Sequence, residues 1–340
     1  LFGDSLLTVA SKLPPITPFI IYLILGLSAF LLIGSIVWGL IRVYAIPRIL
    51  YAFLKENRDY PLYGFHYFVF RWLNAASNLQ FFNMLFGDSA LIVHYLRLVG
   101  VDLSNYIQSG SNWGSHQEFD CPFLCKVGPG TMISSSIYFI NAQYSDTAFR
   151  LRRASIGSQN FIGNIILVPP DSKAGDNCLL ATKVMLPIDG EVRSNTGLLG
   201  SPAFEIPRNP GTAENFQTGL TPEEKKRKLR RKLRANLTSQ SIVLLTRWIY
   251  GLVVIYAGYW TLQNVPFYGV GALGMSTFGL LLFSIFYFAA MEWAAIGFRK
   301  LQPNRCTILH PDYWQVEHYW KMHETILMFL FQGTPFKNLI

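Results

Sequence analysis

Charge is scarce in this sequence: Asp, Glu, Lys and Arg together make up 14% of 340 residues, against 51% hydrophobic and 15% aromatic. So low a share excludes an ordinary water-soluble globule over the whole length. Cysteine is scarce too. Cys121, Cys125, Cys178 and Cys306 form no zinc spacing and no dense disulfide framework, which fits a reducing, cytosolic soluble part. No stretch has the form of a cleavable signal peptide, and residue 1 is Leu rather than Met, so the chain reads as a piece of a longer one. Acidic residues are outnumbered, leaving a net charge of +9, but the excess is concentrated. Lys225-Lys226-Arg227-Lys228-Leu229-Arg230-Arg231-Lys232-Leu233-Arg234 carries eight positive charges and no interleaved aromatic, which argues against nucleic acid as the partner.

What the chain does have is long apolar runs. A bilayer core about 30 Å thick needs roughly 20 apolar helical residues. Ile16 to Ile41, Ile242 to Leu262 and Phe267 to Gly297 meet that. Arg42 and Arg48 follow the first run, the basic stretch precedes the second, and Arg299-Lys300 follow the third. The turn Gln263-Asn264-Val265-Pro266 carries no charge. Positive charge collects on cytosolic flanks, so residues from about 43 to 240 and the C-terminal end are expected in the cytosol. The sequon Asn236-Leu237-Thr238 then lies on the wrong side for glycosylation. The basic run reads as a topology signal that touches anionic headgroups, with docking of an acidic partner as the other reading. Arg247 and Glu292, at similar depth in neighbouring spans, are expected to pair. Tyr63-Gly64-Phe65-His66-Tyr67-Phe68-Val69-Phe70-Arg71-Trp72 reads as helix lying in the membrane interface with aromatic anchors.

The soluble part has a different rhythm. Ile156, Ile162, Val168, Ala174, Leu180, Leu186 and Val192 recur every six residues, with Gly157, Gly163, Pro169, Gly175, Ala181 and Pro187 next in line. Val127, Ile133 and Phe139 repeat the period earlier, and residues 140 to 155 interrupt it like a loop extruded from one coil. Six is neither 3.6 nor 2; it is the hexapeptide repeat of a parallel β-helix, with aliphatic residues inside and small residues at the corners. The expected fold class is mixed: a left-handed parallel β-helix flanked by transmembrane and interfacial α-helices. The expected boundaries are a span in 1–48, interfacial helices in 49–98, the β-helix in 99–215, a polybasic linker in 216–240, two spans in 241–300, and interfacial helices in 301–340.

Four segments carry a resemblance: Asp120-Cys121-Pro122-Phe123-Leu124-Cys125-Lys126-Val127-Gly128, Ile156-Gly157 through Ile162-Gly163-Asn164, Gly175-Asp176-Asn177-Cys178-Leu179-Leu180-Ala181-Thr182, and Gly197-Leu198-Leu199-Gly200-Ser201-Pro202-Ala203-Phe204-Glu205-Ile206-Pro207-Arg208. Over nearly its whole length the chain resembles the membrane-bound C-terminal region of poly-ε-lysine synthetase-like nonribosomal peptide synthetases. There, tandem hexapeptide domains between pairs of membrane helices follow adenylation and carrier domains. The resemblance implies an aminoacyl thioester on a carrier-bound phosphopantetheine as donor, an amine as acceptor, no metal, and tandem copies of the domain as partners. The chemistry needs a base for the amine and donors for the oxyanion. Asp120 is the candidate base, with Asn141 as an oxyanion or acceptor ligand and His116 and Asp146 as further candidates; Asn164, Asp176 and Asn177 are the candidates for holding the phosphopantetheine arm. Related acyltransferases place a histidine in the loop, and Ile140-Asn141-Ala142-Gln143-Tyr144-Ser145-Asp146 has none. That leaves a second reading open, a degenerate copy that scaffolds active neighbours.

A possible repeat remains. Leu85-Phe86-Gly87-Asp88-Ser89 duplicates residues 1 to 5, but Leu330-Phe331-Gln332-Gly333-Thr334 is the better structural match, and His310-Pro311-Asp312-Tyr313 aligns with Tyr60-Pro61-Leu62-Tyr63. Both pairs imply a unit of about 250 residues, in which the chain's end opens the next copy.

Overall fold

The computed structural model describes residues 17–103, 113–114, 116–188, 190–207, 221–296 and 306–322. Internal contacts divide the chain into two units, one of residues 38–237 with 305–317, the other of the remaining segments. In chain order the elements begin with helix α1 (Pro18–Tyr51), strand β1 (Asp59–Pro61) and helices α2 (Phe65–Ser77), α3 (Gln80–Phe86) and α4 (Leu91–Val99). Strands follow: β2 (Asp102–Leu103), β3 (Glu118–Phe119), β4 (Cys125–Val127), β5 (Met132–Ile133), β6 (Ile137–Phe139), β7 (Ala142–Tyr144), β8 (Ala148–Leu151), β9 (Ala154–Ile156), β10 (Phe161–Ile162) and β11 (Ile166–Val168). Then come β12 (Lys173–Ala174), β13 (Leu179–Leu180), β14 (Gly197–Leu199) and β15 (Phe204–Ile206). Helices α5 (Pro222–Tyr268), α6 (Val270–Ile296) and α7 (Pro311–Met322) complete the order.

The short strands form three parallel stacks that the chain visits in rotation. One stack is β2-β4-β9-β12, the second β5-β10-β13-β14 with β15 added antiparallel, the third β3-β6-β11. Registers give the spacing. Ile156 partners Ala174, Ile162 partners Leu180, and Leu180 partners Leu198, each 18 residues on. Eighteen is three steps of six, one visit to each stack. The periodic residues Val127, Ile133, Phe139, Ile156, Ile162, Val168, Leu180 and Leu186 are buried, as the pattern requires. Gly157 shows why the next position is small: a Cβ there would stand 2.5 Å from the Gly175 carbonyl oxygen.

Val192 departs from the pattern, being 54% exposed. Arg193 takes the place opposite Ala174 instead, so the strand has slipped by one residue. A one-residue slip moves a side chain to the other face.

Across the interruption the partners are 29 apart: Val127 with Ile156, Ile133 with Ile162, Phe139 with Val168. The extra eleven residues (29 − 18) leave the stacks as the antiparallel hairpin β7–β8. Its outer strand pairs with β1, Tyr60 opposite Phe149, and Arg150 clasps Asp59 at 2.6 and 2.5 Å.

Three helices, Pro18–Tyr51, Glu223–Tyr268 and Val270–Ala295, are long and apolar enough to cross a membrane. The stretch expected as a polybasic linker is helical from Pro222 onward and continuous with the second span. Thr221 caps it: the Glu224 main-chain N–H donates to its Oγ1 (3.3 Å), and its own N–H donates to Glu224 Oε2 (3.0 Å). No Gly or Pro interrupts residues 223 to 250. In the unit that holds residues 238–304, Tyr250 and Ser284 hydroxyls meet at 3.0 Å and the Tyr287 hydroxyl donates to the Thr246 carbonyl at 2.8 Å, tying α5 to α6. The Arg247–Glu292 pairing falls on a side chain, Glu292, outside the described residues.

Lys232, inside the basic run, is not a surface charge. Its Nζ meets Glu317 Oε1 at 2.9 Å with both side chains buried, 2% and 7% exposed. Asn236 donates to Glu317 Oε2 (3.0 Å) and accepts from the Ala90 N–H (3.1 Å), so the sequon asparagine is itself buried. The two segments aligned as a repeat differ locally: Pro61 ends a strand, whereas Pro311 starts α7. The other half of the repeat argument, residues 1–5 and 330–334, lies outside the described residues.

Candidate functional site

Asp120 follows β3, where the chain turns toward the corner from which β7 later departs. Helix α2 meets it through a polar stripe. Tyr67, Arg71, Asn74 and Asn78 fall at i, i+4, i+7 and i+11, one side of a helix. The Asn78 amide donates to the Phe119 carbonyl (2.9 Å) and accepts the Phe119 N–H (3.0 Å), fixing β3 to the helix. One turn earlier, Asn74 Nδ2 donates to Asp120 Oδ1 at 2.9 Å. The other carboxylate oxygen accepts the Asn141 main-chain N–H at 3.2 Å, and the Ala142 N–H also donates to the group.

Despite these donors, burial dominates and pushes the Asp120 carboxyl above the ordinary carboxylate range; Arg71 nearby opposes the shift. Tyr144, on β7, is raised by partial burial, then by the Asp120 and Tyr67 oxygens, again opposed by Arg71. Tyr144 also lines an open hollow of about 430 Å³ with Asp59, Gln143, Ser145, Phe149 and Arg150. The cluster is therefore a half-buried carboxylate with the Tyr144 phenol and the Arg71 guanidinium within electrostatic reach; Tyr67 lies near Tyr144, which alone of the four borders the hollow. Such a carboxylate has about four lone-pair directions. Three N–H donors leave room for one more proton.

Asn141 is fully buried and its carboxamide is committed to three main-chain groups and one thiol. Its Oδ1 accepts from the Cys121 N–H (3.1 Å) and the Cys125 thiol (3.2 Å); its Nδ2 donates to the carbonyls of Arg152 (3.0 Å) and Leu124 (3.4 Å). It holds the root of the hairpin in place and orients its own N–H toward Asp120. Asp146 is exposed at the hairpin tip, where the Ser145 hydroxyl closes the turn onto Ala148, and His116 is exposed two residues ahead of β3.

The three residues expected around the phosphopantetheine arm are not gathered. Asp176 and Asn177 share one corner, Asp176 Oδ1 accepting the Ser158 N–H (2.5 Å) and Asn177 donating to Asn195 (3.0 Å). Asn164 is exposed at the next corner, its carbonyl accepting the Lys183 N–H. Asp120 belongs to the third. These residues make ladders between neighbouring turns and form no common cradle for an arm.

Cys121, Cys125 and Cys178 are buried and free. Burial pushes the Cys121 thiol up to about 12 and Cys125 well above its usual value, so neither is a ready nucleophile. Among the described residues, no group of three or more His, Cys, Asp or Glu is placed to hold a metal ion.

Sequence reading picked out Asp120 and Asn141 but missed Tyr67, Arg71, Asn74 and Tyr144. The i, i+4, i+7, i+11 polar stripe through an otherwise aromatic helix was the available signal.

No protein-family profile matches the chain, and no curated protein is similar to it. Among solved structures, a maltose O-acetyltransferase from Clostridium difficile 630 is similar over 34% of this chain and 73% of its own, at 15% identity and a TM-score of 0.28. A likeness that slight carries no argument about fold or chemistry.

Proposed function

We propose that the chain is a membrane-anchored acyl-transfer unit, a left-handed parallel β-helix whose extruded hairpin and Asp120 form the reacting site. The observation that carries this reading is the half-buried Asp120, held by Asn74 and the hairpin root and set near Tyr144, which lines an open hollow. A carboxylate so placed suits a general base. The reading extends to an aminoacyl donor held as a thioester on a carrier's phosphopantetheine and an amine acceptor. The amine nitrogen attacks the thioester carbonyl, the C–N bond forms and the C–S bond breaks. Asp120 takes the proton that the amine loses, which then goes to the departing thiolate. Carrier and adenylation domains, together with tandem copies of this domain facing the cytosol, are the partners of this reading. Nucleic acid is not among them.

A second reading is favoured by one observation: Asn141 has no carboxamide atom left for substrate, and the Asp120 oxygens are engaged in bracing, one by Asn74 on α2 and the other by the hairpin root. In that reading this copy scaffolds active neighbours. Product formation by the complete synthetase with Asp120→Asn and, separately, Tyr144→Phe separates the two. Transfer by Asp120 predicts a loss of at least ~100-fold for Asp120→Asn, the usual scale of a general base. In the wild type the rate should climb with pH through a value above the ordinary aspartate range, because only the ionised form accepts a proton. Unchanged product from Asp120→Asn would leave the scaffold reading standing.

A further inference from the structure

Helix α2 has three faces rather than two. Val69, Phe70, Leu73, Ala76 and Ser77 are buried against the core. The polar stripe meets β3 and Asp120. On the third face stand Phe65, Phe68 and Trp72, at i, i+3 and i+7, exposed by 64%, 65% and 61%. At about 100° of rotation per residue the three fall within a quarter of the helix circumference, and the stretch of that arc holds no charged residue. Three large aromatic side chains bared together on one short helix are uncommon in a surface that faces water alone.

We infer that this aromatic face lies in the headgroup layer of the same bilayer that α1 crosses. Lipid is chosen over a protein partner because the face continues the span. Helix α1 ends at Tyr51, and Phe53, two residues beyond, packs edge-on against Phe65 with ring centroids 5.9 Å apart. Ile49 on the last turn of α1, Phe53, and Tyr63 ahead of α2 are exposed as well, so apolar surface runs from the end of the span onto the helix. Phenylalanine, tyrosine and tryptophan are the side chains that settle at a membrane–water boundary. Asn74 binds Asp120 from the adjoining arc of the same helix. With a helix about 10 Å across, Asp120 then stands roughly one helix diameter from the lipid surface. This placement does not depend on the acyl-transfer reading.

The test uses the full chain in phospholipid nanodiscs, with Cys306→Ser to silence the half-exposed thiol. A nitroxide is attached in turn through Phe65→Cys, Phe68→Cys and Trp72→Cys, and through Glu191→Cys as a charged, exposed reference. Dissolved oxygen, which concentrates in lipid, should relax the three helix labels several-fold more effectively than a water-soluble nickel chelate does; the reference label should show the reverse order. Nickel dominating at the helix labels, or neither reagent reaching them because protein covers the face, would overturn the inference. A second measurement leaves the fold less disturbed. The fluorescence lost in Trp72→Phe should be a component quenched by lipids brominated near the headgroup end of their chains. If that component is unquenched, the inference fails.

Discussion

Asn141 shows how a single polar residue can be placed in a core without loss. Water is excluded from its carboxamide, but four protein groups replace it: two donors at the oxygen and two carbonyls at the nitrogen. Truncation would strand those groups in a dry site, and stranded main-chain groups are costly. Asn141→Ala is therefore expected to lower unfolding stability by about 2–4 kcal/mol, read as a fall in thermal midpoint of the detergent-solubilised protein. Asp120 and Asn141 stood out in the sequence by residue type and by their position around the break in the period. Their bond to each other did not, because it depends on how the hairpin root folds back over twenty residues of intervening chain. Asn74 was hidden for another reason: its neighbours Phe68, Phe70 and Trp72 mark the helix as a membrane feature, and aromatic content masks a polar stripe.

At the level of elements, the six-residue period was legible because it is enforced by stacking. Each inward residue must meet its counterpart 18 positions away, and each corner must be narrow enough for the next turn to lie on it. The glycines Gly128, Gly157 and Gly175 form one such corner column, each closing against the main chain of the following turn or its neighbour. A methyl group at Gly157 would press on both the Gly175 carbonyl and Asp176 Oδ1 at 2.5 Å, with backbone unable to yield on one side. Gly157→Ala should cost about 1–3 kcal/mol, the usual scale of overpacking, whereas Gly190→Ala, where no atom lies within 4 Å but φ is +91°, tests backbone conformation alone. Denaturant midpoints of the two variants distinguish crowding from conformation. The slip at Val192 escaped the period because it reflects the length of a corner rather than the character of a strand residue. The pairing of β1 with β8 escaped it as well. Those strands lie about ninety residues apart, and neither carries a mark of its partner.

On the scale of the whole chain, the basic run looked like uniform surface charge, and one of its members is not. Lys232 and Glu317 bring helix α5 and the start of α7 together, with Asn236 extending the network to the turn before α4. Burial pushes the Lys232 ammonium below its usual range and the Glu317 carboxylate pulls it back. Removing one partner breaks a buried ion pair, so Lys232→Met or Glu317→Gln is expected to destabilise this unit by about 3–5 kcal/mol, and the pair Lys232→Met with Glu317→Leu to recover most of that loss. Thermal melting would follow all three. A pair 85 residues apart in sequence cannot be seen from charge alone. The hairpin carries a consequence of another kind. Its eleven residues leave and rejoin the stacks without disturbing register in any of the three, since all three partners shift from 18 to 29 together. The register of the stacks is thus indifferent to the excursion, and natural variation can rewrite its tip as a cassette while Asn141 and Phe149 keep its root. A further constraint lies at Asp59–Arg150 and the β1 edge, so a descendant with a new hairpin should inherit a matching change near residue 59. Specificity in such a lineage would evolve in two distant words of the sequence at once.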